Sequence, residues 1–188
     1  MPPKVKITKE DIVKTALELL RREGEAALNA RRIASALGCS TQPVFSNFTT
    51  MEELHAVVLA AAYDRYLDFL GREVESGKYP PYKAFGMAYI RFAKEEREWF
   101  RLLFMRDRRG EDLSPTRDFE ESVDMIMAAN CLSREAATMV HLEVWACVHG
   151  IATMVVTSFL HLEWDVISDI LSDVYQGVRE RHKQKEGV

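Results

Sequence analysis

Glycine and proline are scarce, nine and six in 188 residues. That scarcity argues against a turn-rich β sandwich and favours long helices. Cysteine is scarcer still. Cys39, Cys131 and Cys147 are odd in number and far apart, with no CxxC pair, so no disulfide framework is expected and the expected compartment is the cytoplasm. The opening Met-Pro-Pro-Lys-Val-Lys lacks the apolar core of a signal peptide. No Ser/His/Asp order, Gly-rich phosphate loop or paired carboxylate set stands out, so the chain is not expected to be an enzyme and no cofactor is expected. What is present is ordinary globular composition: 47% of residues are apolar and 29% charged, enough for one good core and against global disorder.

Charge is distributed unevenly. Residues 1–50 carry eight Lys/Arg against five Asp/Glu, and the remainder 17 against 24. Within 111–173, twelve acidic residues stand against two basic ones, Arg117 and Arg134. A basic head on an acidic body suits a head that meets a polyanion and a body that stays off it.

Periodicity and capping residues predict about nine helices and no strand, an all-α fold. The first helix reads from Lys9 to Glu23, opened by a Thr8/Asp11 capping box and stopped by Gly24. The second runs from an Asn29 N-cap to Leu37, and the third from Ser40 or Thr41 to Asn47. Thr50 with Glu53 opens a long fourth helix to about Glu75. Pro80-Pro81 launches the fifth, and an aromatic-rich sixth covers Glu98 to Arg106. Ser114 as N-cap with Pro115 at N1 predicts the start of the seventh, which lasts to about Asn130. Ser133 caps the eighth, read to Leu160, and the ninth spans Trp164 to His182.

Val144 to Leu162 is nineteen residues without a formal charge, long enough to raise a membrane span. His149, Gly150, Thr153, Thr157, Ser158 and His161 interrupt it, and its flanks are Glu143 and Glu163 rather than Lys or Arg. With no basic anchor, a helix buried on two sides is the simpler account and no membrane is expected. Val144, Cys147, Val148 and Ile151 make one face and Trp145, Ala152, Val156 and Phe159 another, one side for the chain's own core and the other for a partner subunit.

Residues 29–48 carry the most specific pattern. Ala34, Gly38 and Val44 stand at relative positions 0, 4 and 10. Ala34 is small enough for the next helix to cross close above it, Gly38 can take the positive φ of a tight turn, and Val44 plugs the angle between the helices. This is the geometry of a helix-turn-helix whose second helix enters the major groove; a plain αα-corner is the alternative. With Gly38-Cys39-Ser40, Val44-Phe45-Ser46-Asn47-Phe48 and Met51-Glu52-Glu53-Leu54, residues 8–58 resemble the tetracycline-repressor family. Phe45, Asn47 and Met51 depart from its usual Tyr, His and Lys. Trp145-Ala-Cys-Val-His149-Gly150 resembles the Trp-x-x-x-His-Gly signature of one subgroup, as do Tyr89–Phe92 and Trp99–Phe104 its middle helices.

The resemblance implies a helix-turn-helix head, 1–50, and a ligand-binding and dimerising body, 51–188. It also implies a homodimer held through the last two helices, reading a palindromic operator in double-stranded DNA and released by a small apolar or amphipathic effector. Base reading falls to Thr41, Gln42 and Ser46, with Arg31 able to reach a guanine edge or a phosphate. Backbone positioning falls to Asn29, Ser40, Asn47, Thr49 and Thr50; Phe45 shares that face, and the basic arm around Lys6 touches DNA beside it. The ligand residues expected are Met87, Phe104, Met105, Met125, Trp145 and His149, because flexible Met side chains suit an adaptable cavity and Trp145 and His149 share a helix face; a satisfied core histidine beside a core tryptophan, and methionines that fill an irregular core, are the alternatives. No metal site is expected, since no His pair stands at i, i+4 and His141 and His149 lie on different faces. A helical ligand-binding or enzymatic domain that has lost DNA binding is the alternative.

Overall fold

The computed structural model describes residues 7–110 and 114–187. The described residues form nine α-helices and one 3-10 turn with no strand, an all-α fold. The helices are α1 (Lys9–Glu23), α2 (Ala30–Ala36), α3 (Gln42–Asn47), α4 (Met51–Glu75), α5 (Pro81–Glu95), α6 (Arg97–Phe104), α7 (Arg117–Asn130), α8 (Arg134–Val156) and α9 (Trp164–Glu186); the 3-10 turn is Glu25–Ala27. They pack as two units. The first takes the chain up to Tyr66 together with Glu96–Arg106, and the second takes Leu67–Glu95 and the chain from Asp107 onward.

In the first unit, α1 starts where its capping box requires. The Asp11 amide donates to the Thr8 hydroxyl at 3.1 Å, and the Thr8 amide donates to the Asp11 carboxylate at 2.9 Å. Its apolar face buries Ile12, Ala16 and Leu20 completely and packs on α2 and α3; Ile33, Val44 and Phe48 of the helix-turn-helix and Leu54 and Val58 of α4 are likewise at most 1% exposed. Burying each large aliphatic side chain stabilises the unit by about 1.5–3 kcal/mol. The short α6 belongs here too. The Trp99 indole donates to the Leu17 carbonyl at 3.2 Å, Arg21 pairs with Glu96 at 2.6 Å, and the Phe104 ring meets Tyr66 edge-on at 5.0 Å.

In the second unit α8 is central, packed on α5, α7 and α9. It buries Val140, His141, Val144, Val148, Ile151, Ala152 and Val156. By length and composition this helix qualifies for a membrane span; part of its apolar surface packs on its neighbours, and Met139, Leu142 and Trp145 stay exposed. Gly86 marks the closest approach: a Cβ there would stand 3.2 Å from Leu171 Cδ1 and 3.4 Å from Val148 Cγ2. The second face of α8 divides. Ala152 and Val156 are buried, whereas Trp145 and Phe159 are exposed.

Several boundaries differ from those read off the sequence: α6 ends at Phe104 rather than Arg106, and α9 runs on to Glu186 rather than ending at His182. The N-cap of α7 is Thr116, not Ser114: Thr116 is extended, its carbonyl accepts from the Glu120 amide at 3.1 Å, and Arg117 pairs with Glu121 across the first turn. Helix α8 stops at Val156 rather than Leu160. The Ser158 amide bonds the Val155 carbonyl and the Phe159 amide bonds Met154, a Schellman closure. Ser158 carries the left-handed residue at φ 56 without being glycine, so no residue type announced the stop.

Candidate nucleic-acid interface

The angle between α2 and α3 is built by three small or apolar residues. Ala34 is 2% exposed and Val44 fully buried. Gly38 lies between them at φ 66, its amide bonded to Ser35 while the Cys39 amide reaches Ala34. A left-handed residue is required there, and glycine takes it without strain. The buried side of α3 is Val44 with Phe48, so the opposite side is left to the solvent.

On that side stand Gln42, Phe45 and Ser46, all exposed, with Thr41 half-buried at the N-cap position. Two of the polar groups are already engaged along the helix. The Ser46 hydroxyl donates to the Gln42 carbonyl at 2.9 Å, and the Asn47 amide donates to Pro43 at 2.8 Å. Gln42 keeps its side-chain amide exposed. Phe45 is 53% exposed, and it is the only large hydrophobic exposed to that degree among described residues of the chain before α5. Arg31 is exposed at the start of α2, while Arg32 is held by a double contact with Glu23. Asn29 caps α2 by accepting from the Arg32 amide at 2.9 Å. Ser40 is exposed in the turn. Lys6 lies outside the described residues.

The start of α4 differs in detail from a reciprocal capping box. Thr50 accepts from the Glu53 amide at 3.2 Å, but the Glu53 carboxylate takes the Thr49 amide at 2.7 Å and Lys9 Nζ at 3.2 Å. Those donors, the Thr49 amide first, hold the Glu53 carboxyl below its ordinary range. Lys9 also lies 4.6 Å above the Phe48 ring, so its charge is shared with the head's own surface.

The residues expected to bind a ligand are divided between the two units. Phe104 and Met105 belong to the first unit, the latter 41% exposed. Met87, Met125, Trp145 and His149 belong to the second, with Met87 fully buried and Met125 half-buried. Trp145 and His149 do meet, stacked at 5.0 Å between ring centroids and 17° between planes. Tyr89 of α5, which the sequence reading passed over, bonds His149 Nδ1 at 2.8 Å. One turn pair earlier, Tyr82 bonds His141 Nδ1 at 3.1 Å, and Phe119 of α7 meets the same imidazole edge-on at 4.7 Å. Both histidines therefore turn toward α5, although α8 separates them by eight residues. The signal was in the spacing: two tyrosines seven apart on one helix match two histidines eight apart on another. Burial pushes His141 down to about 4, against the pull of the Asp118 carboxylate, and lowers His149 as well. Burial raises both tyrosine hydroxyls, with Tyr175 adding to the rise at Tyr82 and Asp118 at Tyr89. At neutral pH the seam is made of uncharged hydrogen-bonding rings. Among described residues no cluster of His, Cys, Asp and Glu is fit to hold a metal ion.

Residues 82–173 match the family described as tetracyclin repressor-like, C-terminal domain. An uncharacterised helix-turn-helix-type transcriptional regulator of Mycobacterium tuberculosis is 25% identical over 183 residues, 94% of this chain and 84% of that protein. A solved TetR-like transcriptional regulator from Rhodococcus sp. RHA1 shares the fold with a TM-score of 0.66 at 15% identity, over 94% of this chain and 96% of that one. Both similar proteins are transcriptional regulators by description.

Proposed function

We propose that this chain, a transcriptional regulator of the tetracycline-repressor type, is a cytoplasmic repressor that binds a palindromic operator as a homodimer and leaves it when a small apolar or amphipathic effector binds. The observation that carries the DNA-binding half is the exposed face of α3 behind a glycine-turned helix-turn-helix, with Gln42 and Phe45 outward and Val44 and Phe48 inward. Residues 1–50 act as the head and 51–188 as the body. Gln42 and Thr41 read bases, Arg31 meets a guanine edge or a phosphate, and Asn29, Ser40, Asn47, Thr49, Thr50 and Lys6 position the backbone.

The dimer reading is supported by the outward faces of the last two helices. On α8, Met139 and Leu142 are 43% and 41% exposed, and Ala146 follows on the same stripe with Gly150, where an added Cβ meets nothing within 4 Å. On α9, Val166 is 43% exposed and Gly177 is equally open. Apolar side chains interleaved with small residues allow two helix pairs to approach closely as a four-helix bundle. Two heads so held would engage half-sites about 34–36 Å apart.

For the effector, Trp145 stacked on His149 and backed by Tyr89 supports an aromatic and hydrogen-bonding wall, and keeps the Trp-x-x-x-His-Gly subgroup as the assignment of the body. Met87 and Met125 of the same unit supply adaptable apolar side chains. Release requires the effector to bind the DNA-free state more tightly than the DNA-bound one. The test is a fluorescence-anisotropy titration against DNA from upstream of the chain's own gene, beside a shuffled duplex, at several salt concentrations. Selective binding that weakens steeply with salt is expected. A folded dimer that binds neither duplex would turn the reading toward a body that acts without DNA.

A further inference from the structure

The polar side chains of α3 leave one part of its outward face without hydrogen-bonding chemistry. Ser46 turns its hydroxyl proton onto the Gln42 carbonyl and Asn47 an amide proton onto the Pro43 carbonyl, and the large side chain exposed between Gln42 and Thr49 is the Phe45 ring, 53% exposed. A phenyl ring has no group to offer a phosphate. Leaving it in water is unfavourable, and covering it is favourable in proportion to the apolar area removed. The edges of the major groove present mostly donors and acceptors, and their apolar feature is the C5-methyl group of thymine.

Resting on the reading that α3 enters the major groove, we propose that Phe45 is a specificity-determining residue that reads thymine through this methyl. Gln42 lies three residues before Phe45, so the two side chains leave the helix on the same side, one turn apart. The amide of Gln42 suits an adenine edge, and the ring of Phe45 suits a thymine methyl close to it. The half-site is therefore read at that point as an A/T element by one hydrogen-bonding and one apolar contact. Discrimination by Phe45 follows the methyl group rather than the base-pairing edge, so 5-methylcytosine in place of that thymine keeps the contact and deoxyuridine loses it.

The full-length protein is used to enrich binding duplexes from a random pool, and each thymine of the preferred half-site is then replaced singly by deoxyuridine, which removes the methyl and nothing else. The expected result is one or two positions at which the replacement weakens binding about fourfold, the effect of one buried methyl-sized group. In Phe45→Ala, shown to be folded by its circular dichroism and melting, the same replacements have no effect; in Phe45→Leu part of the sensitivity returns. Uniform indifference of the wild type to deoxyuridine, with salt-dependent selective binding intact, overturns the role of Phe45 and leaves the regulator standing. Sensitivity that persists unchanged in Phe45→Ala overturns it equally, by assigning the methyl to another side chain. Failure to enrich any duplex overturns the DNA-binding reading itself.

Discussion

The Tyr89 hydroxyl lies 2.8 Å from Nδ1 of His149, joining α5 to α8 beneath an indole stacked on the same imidazole. The hydroxyl donates when the imidazole proton is on Nε2 and accepts when it is on Nδ1, so one hydrogen bond joins the two rings in either tautomer. Tyr89→Phe removes the hydrogen bond while keeping the ring. A loss of about 1 kcal/mol in urea denaturation is expected, and no change would mean that water replaces the hydroxyl at no cost.

Ser158 ends α8 in a left-handed conformation at φ 56, which a side chain makes unfavourable by about 1 kcal/mol. Ser158→Gly is expected to raise stability by a few tenths to 1 kcal/mol, read as an upward shift in melting temperature. Ser158→Val is expected to lower it, because a β-branched residue resists that conformation more.

His141 is held neutral by burial, with a folded value of about 4 against 6.5 for the free side chain. The unfolded chain therefore binds the extra proton first, and stability falls as pH drops from about 6.5 toward 4. The loss from this group is on the order of 3 kcal/mol at the acid end. Denaturation curves for wild type and His141→Phe between pH 4 and 7.5 should differ in slope, with the variant flatter. Parallel curves would assign the acid sensitivity to other groups.

In the operator, Gln42→Ala is expected to change preference at one position of each half-site, by about 1–3 kcal/mol. Lys6→Ala is expected to weaken all duplexes alike and to lower the salt slope by about one. Titrations of both variants against a panel of single-base operator mutants separate the two behaviours; uniform loss in both would remove Gln42 from the base readers.

Leu142 stands on the outward stripe of α8, 41% exposed. Leu142→Asp leaves the fold of one chain intact and places a carboxylate in the proposed interface, where burial without a partner is costly. Sedimentation should show a folded monomer, with operator affinity falling because one head alone binds one half-site. A dimer of unchanged strength would move the interface elsewhere.

The sequence was most legible where chemistry forces local geometry. Thr8 with Asp11, Asn29, Gly38 and Ser133 set helix ends that the structure keeps within a residue or so, since each satisfies a backbone group that has no other partner. It was least legible where tertiary contact decides. Nothing local distinguishes Thr116 from Ser114 as a cap, or marks Ser158 as left-handed, and the matching spacing of the Tyr and His pairs gains its meaning only once α5 lies along α8. Pattern alone also assigned Trp145 and Val156 to one face of α8, whereas packing exposes the first and buries the second.

The placement of α6 bears on how such a protein can be rearranged. The indole of Trp99 bonds the backbone of α1, and Phe100 is fully buried in the unit that holds the helix-turn-helix. The unit that holds the helix-turn-helix is thus completed by residues some fifty positions downstream of α3. A hybrid regulator spliced just after residue 50 would pair α1 with a foreign sixth helix, and would have to find a new partner for the Leu17 carbonyl and a new ring for the space of Phe100. Exchanging specificity by replacing the surface residues of α3 leaves that joint intact, so grafting side chains, rather than transplanting the motif as a cassette, is the route this architecture favours.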